Sequence, residues 1–239
     1  MKTIDTMRGS LLPILILFSL VAGVHAGPPP GPKAMAVYTL DSRDYNSLSL
    51  YMMSGRLPLN LAFWGLTDLH GEQGNPGERA NLVRSFSEYR LTWAGADGGL
   101  LGIRSLGFQA EYNDMTPARP GAVRVGLSWT PTVTPPHIGP FGGLPWRLNW
   151  RVHPWESDEE GWQVSLNYLL PLSPRLAITG FLDRDAHPDA EARWVFEPQL
   201  NLLIHERTWF VVEYRYNGYE DAAPALEGIG WAAGLRLDL

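Results

Sequence analysis

The stretch WRLNWRVHPW (146–155) constrains this chain more than any other. Trp146, Leu148, Trp150 and Val152 share one side of an extended backbone, while Arg147, Asn149, Arg151 and His153 share the other. Alternation with period two is the geometry of a strand, not of a helix. One side is what a hydrocarbon solvent accepts, and the other carries two guanidinium groups. The same division recurs downstream. In GWQVSLNYLL (161–170), Trp162, Val164, Leu166 and Tyr168 oppose Gln163, Ser165 and Asn167. In TWFVVEYRY (208–216), Phe210, Val212, Tyr214 and Tyr216 oppose Val211, Glu213 and Arg215.

Twelve such segments fit the chain: 34–40, 47–53, 58–68, 86–94, 103–112, 122–130, 146–153, 162–170, 175–183, 192–203, 208–216 and 228–239. Most approach the roughly 9–11 residues that a tilted strand needs to cross a bilayer. Ten strands remain as the fallback if the first pair does not form. The connections SGR, AGADGGL, PLSP and IHER are short, whereas HGEQGNPGERANLVRS, NDMTPARP, RDAHPDA and NGYEDAAPALE are longer and polar. Short turns on one side and long loops on the other is the arrangement of outer-membrane barrels. The connection at 131–145, PTVTPPHIGPFGGLP, breaks the rule and is expected to be an irregular excursion on the short-turn side.

The start of the chain reads differently. Lys2 and Arg8 precede an apolar run over 11–24, and VHA follows with small residues at the positions before a cleavage point. This is expected to be a secretory signal peptide (1–26), too short to span a bilayer. The segment GPPPGPK (27–33) then forms a stiff Pro-rich leader, and the barrel occupies 34–239. With Lys2, Arg8 and Asp5 removed, 17 basic and 24 acidic residues remain, a formal charge of −7. That balance argues against nucleic acid as a partner. The chain has no cysteine, so neither disulfides nor thiolate metal sites contribute.

Alternation also occurs in soluble barrels, where the apolar face points inward. The size and chemistry of the two faces decide here. The apolar set is bulky and rich in tryptophan, too large for the centre of a small soluble barrel. The opposite set holds ionised groups in mid-strand, which need water or partners. An antiparallel transmembrane β-barrel, all-β, with lipid outside and a polar interior satisfies both. A periplasmic β-sandwich is the alternative of another class. Trp93, Trp129, Trp146 and Trp162 fall near strand ends, where an aromatic girdle belongs. Leu239, Leu237, Leu235, Ala233 and Trp231 alternate back from the last residue, resembling the C-terminal strand read by the barrel-insertion machinery.

A family resemblance can then be stated. The stretch VGLSW…GGLPWRLNWRVHPWESDEEGWQVSLNYLLPL resembles nucleoside-specific channels of the Tsx/OmpK type, in which a strand, a Gly-Leu-Pro step and another strand precede a short acidic loop. LAFWGLTDLHGE with SFSEYRLTW resembles that family's aromatic-Gly-x-x-Asp strand and its acidic-x-x-Arg-Leu partner. The similarity in pattern runs over 59–183; the chain is shorter than the family usually is, and its first two strands match poorly. The resemblance implies a monomeric twelve-stranded barrel with a narrow pore for nucleosides or similar solutes. Trp64 and Asp68 sit at matching motifs with inward parity.

Parity assigns the inward charges: Arg90, Arg124, Arg147, Arg151, Arg193, Arg215 and Arg236, with Asp68, Glu88, Glu111, Glu197, Glu213 and Asp238. Arg124, Arg147 and Arg151 should face Glu197 and Glu213 across the lumen, setting up a transverse field that orients dipolar solutes. The expected function is passive passage of small polar solutes. The alternative is a packed structural or surface-interaction barrel whose ionic ladders leave no open pore. No enzyme is expected: Gly-x-Ser-x-Gly, His-Glu-x-x-His and any local Ser/His/Asp group are lacking. Of the histidines, His70, His137, His187 and His205 are assigned to loops or turns, and His153 to a strand end beside the acidic loop ESDEE, read as solvated. Neither cofactor nor metal is expected.

Overall fold

A strand pairs through both edges, so a chain made almost wholly of strands must close on itself or leave edges bare. In the computed structural model it closes. The structure describes residues 34–73, 82–94, 99–116, 119–133, 144–157, 161–187, 190–219 and 226–239. The expected signal peptide and Pro-rich leader lie outside the described residues. Twelve long strands follow one another: β1 (Ala34–Asp41), β2 (Tyr45–Leu57), β3 (Leu61–Glu72), β4 (Leu82–Trp93), β5 (Leu106–Thr116) and β6 (Arg119–Trp129). They continue as β7 (Trp146–Glu156), β8 (Trp162–Ser173), β9 (Leu176–His187), β10 (Ala190–His205), β11 (Thr208–Asn217) and β12 (Gly228–Asp238). Each pairs antiparallel with its neighbours in sequence, and β1 closes the ring on β12, with Met35 opposite Asp238 and Asp41 opposite Ala232.

The twelve expected segments each coincide with one of these strands, and the structure lengthens most of them. It runs β5 to Thr116 and begins β6 at Arg119, so NDMTPARP is mostly strand and not a long loop. RDAHPDA is likewise absorbed into β9 and β10. Two local departures sit on the side of the termini. Gly99–Leu100 pairs with Ile103–Arg104 in a small separate ladder, so β5 starts at Leu106 and not at 103. Thr132–Val133 pairs with the foot of β7, which gives the excursion at 131–145 a short strand. Residues 134–143 of that excursion lie outside the described residues.

The two faces separate as the alternation requires. Trp150 and Val152 are 40% and 44% exposed, while Arg151 between them is 1% exposed. Outward rows of Val123, Val125, Leu127, Leu200, Leu202, Phe210 and Leu235 wrap the wall in apolar surface. A surface of this kind is stable only against hydrocarbon. Outward indoles mark both rims. Trp93 and Trp129 stand at the end bearing the termini, beside Trp146, while Trp155, Trp162, Trp194 and Trp231 stand toward the other. The wall therefore defines a membrane-spanning β-barrel.

Closure depends on one tight approach. A Cβ built on Gly234 of β12 would lie 1.8 Å from the Tyr38 carbonyl oxygen of β1. Only the absence of a side chain lets the first and last strands meet here. Gly234→Val is expected to cost about 1–3 kcal/mol through this overlap. The yield of heat-modifiable, folded barrel in lipid vesicles measures it.

Candidate functional site

The lumen is lined by residues that alternation turns inward, and closure brings distant strands' charges together in two clusters. The larger joins β4 to β9. Arg90 is ion-paired with Glu88 and lies 3.1 Å from Glu111. Arg151 reaches Glu111 at 3.0 Å, Glu88 at 3.2 Å and Asp183 at 3.5 Å. Arg124 pairs with Glu156 at 2.8 Å and with Glu111 at 3.5 Å. Arg90 Nη1 also donates to Asn167 Oδ1 at 3.2 Å, spanning the interior from β4 to β8. His153 is fully buried in the same cluster, against Gln163 at 3.3 Å and Gln109 at 3.4 Å.

The second cluster lies at the seam. Arg215 of β11 donates to Asp41 at 3.2 Å, Tyr45 Oη at 3.0 Å and Thr39 at 3.1 Å, and pairs with Glu213. Arg43, in the β1–β2 turn, holds Asp41 at 3.0 Å and the Leu226 carbonyl at 2.8 Å. Arg84 of β4 lies over the Tyr45 ring at 5.5 Å and donates to His70 Nδ1 at 3.1 Å. Between the two clusters a strip of inward residues keeps partial exposure: Tyr51, Trp64 and Asp68 on one side, Asn167, Phe181 and Glu197 on the other. Arg90 covers the Trp64 ring at 3.9 Å, and Tyr51 meets that ring edge-on at 6.0 Å.

The structure places Trp64, Asp68, Glu88, Arg90, Glu111, Arg124, Arg151, Glu197, Glu213 and Arg215 on the inner face, as parity expects. Arg236 and Asp238 form a separate 2.7 Å pair beside Trp209. Arg193 lies over the Tyr219 ring at 5.0 Å. Arg147 is exposed at the rim and joins neither cluster. The expected transverse field is corrected. Arg124 is neutralised by carboxylates on its neighbouring strands, Arg151 by carboxylates two and three strands away, and Glu213 by Arg215 on its own strand. The charges therefore close within each cluster, and the arginines do not face Glu197 and Glu213 across the pore.

Three sequence readings change. His153 is not a solvated loop residue but a buried group, and His70 is a 7%-exposed member of β3. Glu156, assigned to a solvated acidic loop, points inward to Arg124. A register shift between Val152 and Trp155, at Pro154, reverses the parity there. His187 and His205 end β9 and β10, while His137 lies outside the described residues. The sequence reading also missed Asp41, Arg43, Tyr45 and Arg84, which build the seam cluster. Arg84 was legible, because it extends the row 86, 88, 90 by one step.

No family model and no curated protein matches this sequence. Solved structures do. The KdgM porin superposes with a TM-score of 0.50 at 9% identity, over 86% of this chain and 99% of that one. The KdgM porin in complex with disordered oligogalacturonate gives 0.49 at 10% identity, over 86% and 98%. A triple mutant of the Rhodopseudomonas blastica porin gives 0.31 at 7% identity, over 86% and 98%. The fold is thus that of a porin-type β-barrel. The likeness does not single out the nucleoside channels.

Proposed function

We propose that this protein is a bacterial outer-membrane channel for the passive passage of small polar solutes. The observation that carries the reading is the strip between the clusters, where Trp64, Asp68, Phe181 and Glu197 keep access to solvent inside a closed wall. The ion-pair clusters narrow the lumen, and Arg90 lies over the Trp64 ring at one edge of this strip. Solutes that fit it are small, and its carboxylates and aromatic edges suit hydroxyl-bearing or weakly basic molecules. Nucleosides are the finer candidate, on the resemblance of the Trp64 and Asp68 motifs. The barrel works as a monomer, enters the membrane through its last strand, and is not an enzyme.

Planar-bilayer recording tests this. Small, steady conductance steps are expected, reduced by an added nucleoside if the finer candidate holds. Asp68→Asn with Glu197→Gln should lower the preference for potassium over chloride by up to about fivefold, matching the ~1 kcal/mol that a unit charge exerts at 4 Å in water. Silence of the wild type would favour the second reading, a packed barrel acting through its exterior loops. The near-complete burial of Arg151 and the Arg90–Asn167 bridge are what support that reading. A lipid-hydrolysis assay of the same preparation checks the non-enzymatic assignment.

A further inference from the structure

The outer wall holds a charge that solute passage does not use. Arg184 belongs to β9, in register with Val164 of β8 and with Trp194 of β10, which is exposed on the outer surface. Among the described mid-strand residues of the outer rows the only other ion is Asp114, close to the end of β5. The remaining neighbours of Arg184 on its row are Leu182 and Ala186. Its guanidinium carbon stands 5.5 Å from the ring centroid of Trp162 and 5.5 Å from that of Trp194. These two indoles are 41% and 42% exposed and flank it from β8 and β10.

A cation on a lipid-facing wall is costly at mid-membrane and is tolerated where it can reach the interface. Arg184 meets that condition, since it lies three residues from the end of β9 and at the level of the aromatic rim. The indoles hold the guanidinium by cation–π attraction but remove none of its charge. No described carboxylate lies within ion-pairing distance to do so. A planar fork of N–H donors, held at the level of the aromatic rim and without an ion-paired carboxylate among the described residues, is matched by a phosphate oxygen pair.

We propose that Arg184, braced by Trp162 and Trp194, is a docking site for the phosphate of an anionic lipid headgroup. The lipid belongs to the leaflet at the end of the barrel opposite the termini. The site is independent of whether the lumen conducts. It fixes the depth and rotation of the barrel in its membrane and gives β8–β10 a resident lipid.

The full chain, folded into vesicles of mixed phosphatidylglycerol and phosphatidylcholine and then extracted, is weighed by native mass spectrometry. The wild type should retain phosphatidylglycerol in preference to phosphatidylcholine. Arg184→Gln should weaken that retention about fivefold, with heat-modifiability unchanged. Arg184→Lys should restore part of it, and Trp162→Leu should weaken it while leaving the barrel folded. Equal retention by wild type and Arg184→Gln would overturn the proposal. So would loss of both lipids to the same degree, or displacement of the lipid by inorganic phosphate alone, which would make the site one for the free anion.

Discussion

Arg151→Met is expected to destabilise the folded barrel by about 3–5 kcal/mol, the cost of leaving buried charge without its partner. Methionine matches much of the arginine's length, so the loss reports charge and not a cavity. Three carboxylates meet this one guanidinium: Glu111 at 3.0 Å and Glu88 at 3.2 Å, which it shares with Arg90, and Asp183 at 3.5 Å. With Arg151 1% exposed, water does not replace it without opening the cluster. Urea titration in lipid vesicles, followed by tryptophan fluorescence, measures the change. Adding Glu88→Gln to Arg151→Met restores the original charge balance and should recover a large part of the loss. If the single variant unfolds at the wild-type urea concentration, the cluster does not brace the barrel.

The second large effect belongs to the outer wall. Leu200→Arg should cost about 2–4 kcal/mol, the penalty for a cation on the lipid face near the bilayer midplane. Leu200 lies outward in the middle of β10 and is 44% exposed. Its neighbour Gln199 turns inward, donating to Glu213 at 2.6 Å, one inward step from Glu197. Gln199→Arg should therefore change stability by less than about 1 kcal/mol, within the ordinary range of tolerated substitutions. The contrast between adjacent positions is the measurement, read in the same vesicle titration. Equal costs at both would mean that the apolar face does not meet lipid.

Much of this architecture was legible because alternation is a local property. Trp150, Arg151 and Val152 declare their faces without knowledge of any other strand, and the twelve segments follow from repeating that reading. The partners of the charges are not local. Arg151 meets Glu88 only because β4 and β7 lie close around the ring, a relation set by tilt and stagger. A reading of separate strands therefore placed the arginines and acids on the right side and paired them across the wrong distance. Glu156 shows the other limit. One extra residue at a bulge inverts every later position, and Pro154 was the available signal, since it lacks the N–H that a regular ladder needs. Asp41 and Tyr45 at the strand ends, with Arg43 in the turn between them, escaped for a third reason, because Arg43 folds back onto Asp41 and the Leu226 carbonyl.

The pairing of β1 with β12 sets the order of assembly. Met35 meets Asp238, so the ring acquires its clasp from the two extremes of the described chain, and no partial product owns a finished wall. Until that moment the arginine cluster has no enclosure and the tryptophan rows have no oil. A nascent molecule in water thus carries two sticky margins and a greasy skin at once. Either margin left open would offer a full row of unpaired N–H and C=O groups to another chain.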